Sequence, residues 1–87
     1  MSNRIWIKLI KDNKIIKDII FVSSKNDVQN QLLEKCKELD ISQPIWSKKN
    51  IRDWENHGIT RFFESDFIDD FQYDSMELNF VADKKSR

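Results

Sequence analysis

Gly58 is the only glycine and Pro44 the only proline in these 87 residues, which leaves almost no room for a flexible linker, a low-complexity stretch or turns of positive φ. Nearly all of the chain is therefore expected in regular elements. At this length, with 39% hydrophobic residues, it can build one compact core with little stability to spare. We expect a single small α+β domain over residues 1–87, with an ordered core from 4 to 82. Met1 to Asn3 and the basic tail Asp83 to Arg87 should fray.

Arg4 to Lys11 and Ile15 to Ser23 are rich in isoleucine and other strand formers, and the polar Lys11-Asp12-Asn13-Lys14 between them suits a tight turn. A β-hairpin centred on Asp12 and Asn13 follows. In an unbroken register Leu9 faces Ile16, Ile7 faces Asp18 and Ile5 faces Ile20. On the other side Ile10 faces Ile15, Lys8 faces Lys17 and Trp6 faces Ile19. A helix is expected from about Asp27 to Asp40, opened by Asn26 with Gln29 as a loose capping box. Its apolar stripe is Val28, Leu32, Cys36 and Leu39. Pro44 then imposes an extended link. A second helix should run from Lys48 to His57, capped by Ser47, with Trp46 stapled onto Ile51, and stopped by Gly58 in a left-handed cap. Ile59 to Phe63 suits a short extended piece and Ser65 to Phe71 a helical turn. Met76, Leu78, Phe80 and Ala82 alternate with polar residues as a final half-buried strand. The expected order is ββααβ: a small antiparallel or mixed three-stranded sheet, last strand beside first, with two helices on one face.

Arg4-Ile5-Trp6, Lys11-Asp12-Asn13, Pro44-Ile45-Trp46, Thr60-Arg61-Phe62 and Asp66-Phe67-Ile68 are spread along nearly the whole chain. In these segments it resembles a family of short bacterial proteins of similar length. The resemblance implies a compact standalone protein and carries no activity with it.

The 15 basic and 15 acidic side chains cancel, which argues against a general nucleic-acid or membrane-surface binder. No stretch approaches the ~18 apolar residues that cross a bilayer, and the first residues lack a secretory apolar run. A lone cysteine, Cys36, fits a reducing compartment, so a cytoplasmic location is expected.

Catalysis by an activated nucleophile finds few candidates. Cys36 falls on the apolar helix stripe, where a thiol behaves as a small hydrophobe. His57 falls in a last helical turn, where an imidazole suits the negative end of the dipole. One cysteine and one histidine are too few for a structural zinc site, and a single glycine is too few for a phosphate loop. The acidic set Glu64, Asp66, Asp69, Asp70, Asp74 and Glu77 lacks the spacing of a calcium loop and reads as a solvated face folded back on the domain's own lysines. No catalytic residue, metal or cofactor is expected.

The hairpin carries the functional expectation. A sheet with helices on one side should alternate apolar and polar residues, yet both of its faces are apolar. With Ile5, Ile7, Leu9, Ile16, Ile20 and Val22 assigned to the core, the outer face still carries Trp6, Ile10, Ile15, Ile19 and Phe21 beside Lys8 and Lys17. Unless the aromatic segment Phe62 to Tyr73 wraps over it, such a face exposes roughly 300 to 500 Å² of apolar surface, which marks an interface. We therefore expect a small non-enzymatic interaction module, a regulator or inhibitor. It should bind another protein or a second copy of itself through Trp6, Lys8, Ile10, Lys17, Ile19 and Phe21. The alternative is a small nucleic-acid-associated regulator that contacts phosphates with Lys48, Lys49, Arg52 and Arg61 and stacks bases on Trp46 or Trp54.

Overall fold

The computed structural model describes residues 3–82; the expected tail at 83–87 lies outside the described residues. Four strands and two helices follow one another as β1 (Arg4–Lys11), β2 (Lys14–Val22), α1 (Val28–Leu39), α2 (Lys48–His57), β3 (Ile59–Phe63) and β4 (Ser75–Val81). The strands form one antiparallel sheet in the order β2-β1-β4-β3. The class is α+β, and the last strand does lie beside the first. The three-stranded expectation is corrected to four, because Ile59–Phe63 pairs along β4 as a second edge strand. Asn3 is anchored, its carbonyl accepting from the Ser23 N–H at 3.0 Å.

Asp12 and Asn13 adopt φ of 54° and 64°, the left-handed pair of a type I′ turn, and Asn and Asp tolerate that region better than other side chains. Asp74 locks this turn from the far end of the chain. Its carboxylate accepts from the Asp12 N–H at 2.8 Å, and its own N–H donates to the Ile10 carbonyl at 2.8 Å.

Beyond the turn the expected register is corrected by one residue. Lys11 faces Lys14 and Ile10 faces Ile15, but Leu9 then faces Lys17, which leaves Ile16 as the extra residue of a β-bulge. From there on Lys8 faces Asp18, Ile7 faces Ile19, Trp6 faces Ile20 and Ile5 faces Phe21. Because side chains alternate with period two, the slip exchanges the faces of β2. It removes Asp18 from the core side and sets it beside Lys8. Ile19 and Phe21 go inward, while Ile16, Ile20 and Val22, expected inside, are exposed. Deleting Ile16 should leave both pairings around the bulge intact. We expect the variant to stay folded, within about 0.5 kcal/mol of the parent as for other exposed sites. Loss of the Trp6–Ile20 proximity in an NMR spectrum would contradict the assigned bulge.

Ile5, Ile7, Leu9, Met76, Leu78, Thr60 and Phe62 line the inner face, and both helices pack there. Helix α1 contributes Val28, Leu32 and Cys36, with Leu39 partly buried, as its periodicity predicts. Its start departs from expectation: a 3₁₀ turn at Lys25–Asp27 precedes it and Asp27 occupies the cap position instead of Asn26. Helix α2 has the expected limits. Ser47 Oγ accepts from the Asn50 N–H while Asn50 Oδ1 accepts from the Ser47 N–H, both at 3.1 Å, closing a capping box. Gly58 ends it at φ 69°, where a Cβ would also meet Phe80 Cβ at 3.2 Å.

The aromatic segment closes the core on this inner side and does not wrap around the sheet. The Phe62 ring meets Trp46 at 5.0 Å and Phe67 at 6.4 Å, both edge to face, and Phe67 stacks on Phe71 at 3.7 Å. The expected helical turn at 65–71 shrinks to a 3₁₀ turn at Glu64–Asp66, after which Phe67 bridges to Pro44 in extended conformation.

Candidate functional site

With both helices on the inner side, the opposite face of the sheet is covered by no described element. Four rows of side chains cross it perpendicular to the strands. The pairings β2 to β1 to β4 to β3 give Ile15, Ile10, Ser75 and Phe63 in one row, then Asp18, Lys8, Glu77 and Arg61, then Ile20, Trp6, Asn79 and Ile59. A shorter row of Val22, Arg4 and Val81 ends it. The exposed apolar members sit mostly at the sheet margins: Ile15, Ile20, Val22, Ile59 and Phe63, of which Val22 is 67% exposed and Phe63 53%.

The second row alternates in charge, minus, plus, minus, plus. Lys8 Nζ lies 3.9 Å from Glu77 Oε1, and Arg61 reaches the same oxygen at 3.4 Å. Trp6 ties the rows together: its indole N–H donates to Asp18 Oδ2 at 2.8 Å, and Lys8 Nζ sits 4.0 Å from the centroid of its ring. The ladder is thus laterally paired before anything docks on it. Asn79 Nδ2, buried beside Trp6, has no hydrogen-bond partner among the described residues.

Of the six residues expected to form one docking surface, Trp6, Lys8 and Ile10 lie on this open face. Ile19 and Phe21 do not: the bulge turns them inward against the core, where Lys35 of α1 lies 5.0 Å from the Phe21 ring. Lys17 is displaced for the same reason and pairs with Leu9 instead of Lys8. The face expected to be a hairpin patch is instead a full sheet surface to which β3 and β4 add Ile59, Arg61, Phe63, Glu77 and Asn79. The alternation Ile59, Arg61, Phe63 against Thr60 and Phe62 was a readable signal for that strand.

The basic set expected for phosphate contacts is divided by the sheet. Lys48, Lys49 and Arg52 lie on α2, on the inner side, with Lys49 paired to Asp53 at 3.0 Å, whereas Arg61 belongs to the charge row of the open face. Trp54 is buried and its indole donates to the Lys25 carbonyl at 3.0 Å, so it offers no stacking platform, whereas Trp46 is half-buried with its ring edge to face with Phe62.

The acidic segment is also divided. Glu77 pairs with basic side chains, but Asp66 and Asp74 accept from the backbone N–H groups of Phe63 and Asp12. Among the described residues no cluster of His, Cys, Asp or Glu has the arrangement of a metal site, and no helix is long and apolar enough to cross a membrane. Cys36 is buried, and loss of hydration pushes its thiol up to about 11, away from the thiolate that a nucleophile needs. A shallow groove of about 250 Å³ between α1 and the 43–46 segment has Gln29, Leu33, Pro44 and Trp46 in its wall and no ionisable lining residue.

No protein-family model, curated protein or solved structure matches this chain.

Proposed function

We propose that this chain is a non-enzymatic interaction module, a cytoplasmic regulator or inhibitor that works by docking its open sheet face on a protein surface. The observation that carries the reading is the uncovered face itself, where Ile15, Ile20, Val22, Ile59 and Phe63 stand about half or more exposed around a laterally paired charge row. An apolar rim of this kind is costly on a free monomer and is the usual mark of an association surface. Trp6, Lys8 and Ile10 lie at its centre, so an incoming partner meets a preformed surface whose charge row is already held by a hydrogen bond from Trp6 and by ion pairs.

The test compares the tagged native protein with Ile20→Asp and Phe63→Asp variants, both exposed and harmless to the core, and with Ile51→Asp on α2 as a control. Complex size is measured by light scattering, on the purified protein and on material recovered from cells. Loss of a defined assembly in the two face variants, with the control unaffected, is the expected result. A native protein that stays monomeric and carries the same companions as both face variants would remove the proposal.

A further inference from the structure

Resting on this docking reading, we infer that the open face fits a second copy of the same chain, in a face-to-face dimer whose two-fold axis runs parallel to the strands, midway between β1 and β4. The warrant is the symmetry of the charge row. A dyad in that position lays each row over its own reverse. Asp18, Lys8, Glu77 and Arg61 then meet Arg61, Glu77, Lys8 and Asp18 of the second copy, so that every charge opposes its opposite. The alternative dyad, running along the row, sets Lys8 over Lys8 and Glu77 over Glu77 and is repelled. Isologous interfaces require this kind of self-complementarity, and an alternating row of even length provides it in one orientation only.

The flanking rows agree with that orientation. Ile20 comes over Ile59 of the second copy, Ile15 over Phe63 and Ile10 over Ser75, so the exposed apolar rim is matched with apolar rim. Trp6 comes over Asn79 of the second copy, so this row sets an indole against a neutral side chain. Two sheets packed in this way keep their strands within about 30° of each other, which leaves the rows in register near the dyad. Zero formal net charge adds no long-range repulsion between copies. Four strands spaced ~4.8 Å and up to about seven residues long at ~3.3 Å each give a face of roughly 19 by 23 Å. Counted on both copies this falls short of the roughly 1,200 Å² at which stable specific interfaces begin, so the dimer is a weak one that should dissociate on dilution.

Edge-to-edge pairing through β2 is the competing geometry, and the strand is built against it. Lys14 and Lys17 stand on that edge and the Ile16 bulge interrupts it, both familiar devices for keeping an edge unpaired.

The experiment is sedimentation velocity over a wide concentration range on the native chain, a Lys8→Glu chain, a Glu77→Lys chain and their equimolar mixture. The native protein should dimerise reversibly. Each single variant should bind itself about tenfold more weakly or worse, because it lays like charges over like. The mixture should recover dimer with one chain of each kind. Across the dyad the glutamate introduced at position 8 of one chain then meets the lysine introduced at position 77 of the other, while the remaining native Glu77 and Lys8 oppose each other as before. Recovery also shows that both variants are folded. Independently, an Ile20→Cys/Ile59→Cys double variant keeps every charge. Its two thiols stand about 14 Å apart within one chain, three strand spacings, beyond disulfide reach. Sheets packed face to face stand ~10 Å apart, also too far for a direct disulfide, so a short bismaleimide linker that spans less than the intrachain thiol separation should give a covalent dimer, while buried Cys36 stays unreacted. A native chain that remains monomeric throughout, a mixture that stays monomeric, or the absence of the covalent dimer overturns the inference. If the native chain is monomeric alone and still forms a complex with another protein that Ile20→Asp abolishes, self-association fails while the docking reading stands.

Discussion

Phe62→Ala should destabilise the domain by about 3 to 5 kcal/mol, the usual cost of removing a fully enclosed aromatic side chain. Phe62 has no exposed surface and stands at the junction of three elements, with Trp46 on one edge and Phe67 on the other. Its loss opens a cavity between β3 and the 44–46 and 67–71 segments. Those segments are joined by only a short bridge, Pro44 to Phe67, with the Ile45 N–H donating to the Asp66 carbonyl at 2.7 Å. Small domains hold toward the low end of roughly 5 to 15 kcal/mol in total, so most of the folding free energy is at stake. At about 4 to 8 °C per kcal/mol for a chain of this size, the melting temperature should fall by roughly 12 to 40 °C. Urea denaturation followed by tryptophan fluorescence, with Trp46 in contact with the site, reads this directly. Phe63→Ala supplies the contrast: one residue along the strand, it points out onto the open face and should change stability by less than about 0.5 kcal/mol. Similar losses for the two would mean that the assigned alternation of β3 is wrong.

Asn50→Ala should cost about 2 to 3 kcal/mol, although the side chain is neutral and on a helix. Asn50 is buried and saturated: Oδ1 accepts from the Ser47 N–H and hydroxyl at 3.1 and 2.8 Å, and Nδ2 donates to Thr60 Oγ1 at 2.8 Å and the Arg61 carbonyl at 3.2 Å. It therefore closes the cap of α2 and pins that helix to β3 with one amide. Truncation leaves the buried Thr60 hydroxyl and the Ser47 N–H without these partners, and an unsatisfied buried group costs more than the hydrogen bond it lost contributes. Asn50→Asp separates the two halves of the role: it keeps the acceptors of the cap, removes the donor to Thr60 and Arg61, and brings a charge into the core. Equilibrium denaturation of both variants should rank the aspartate no better than the alanine. An aspartate as stable as the parent would mean that the contacts to Thr60 and Arg61 contribute nothing.

Helix periodicity and capping chemistry were the most legible parts of the chain. Ser47 and Gly58 mark the limits of α2, and the stripe Val28, Leu32, Cys36 faces the core as its spacing requires. The turn at Asp12 and Asn13 was equally plain. What misled was the count along β2. An unbroken register buries Asp18 and sets Lys8 against Lys17, two local faults that share one cure, a single extra residue, and both vanish with the bulge at Ile16. Since apolar residues occupy both faces of the hairpin, hydrophobic pattern alone did not choose between the registers, and the charges did. The same exchange of faces explains why Ile19 and Phe21 belong to the core while Trp6, Lys8 and Ile10 remain outside. Arg61 and Glu77 join the open face only through pairings that bring together residues distant in sequence, β1 with β4 and β4 with β3, which local spacing does not reveal.

The two inner strands of the sheet are the first and the last, and Arg4 stands directly across from Val81. During synthesis the hairpin and both helices leave the ribosome with the central slot of the sheet vacant, and β3, an edge strand, has nothing to pair with until β4 arrives. Assembly must therefore wait for the end of β4 and then close over nearly the full contour of the chain, a topology that favours slow, all-or-none folding. The neighbouring ends of β1 and β4 also make a short loop joining them geometrically feasible, so new chain ends opened in the 41–43 connection should leave the same sheet with its closing step moved elsewhere.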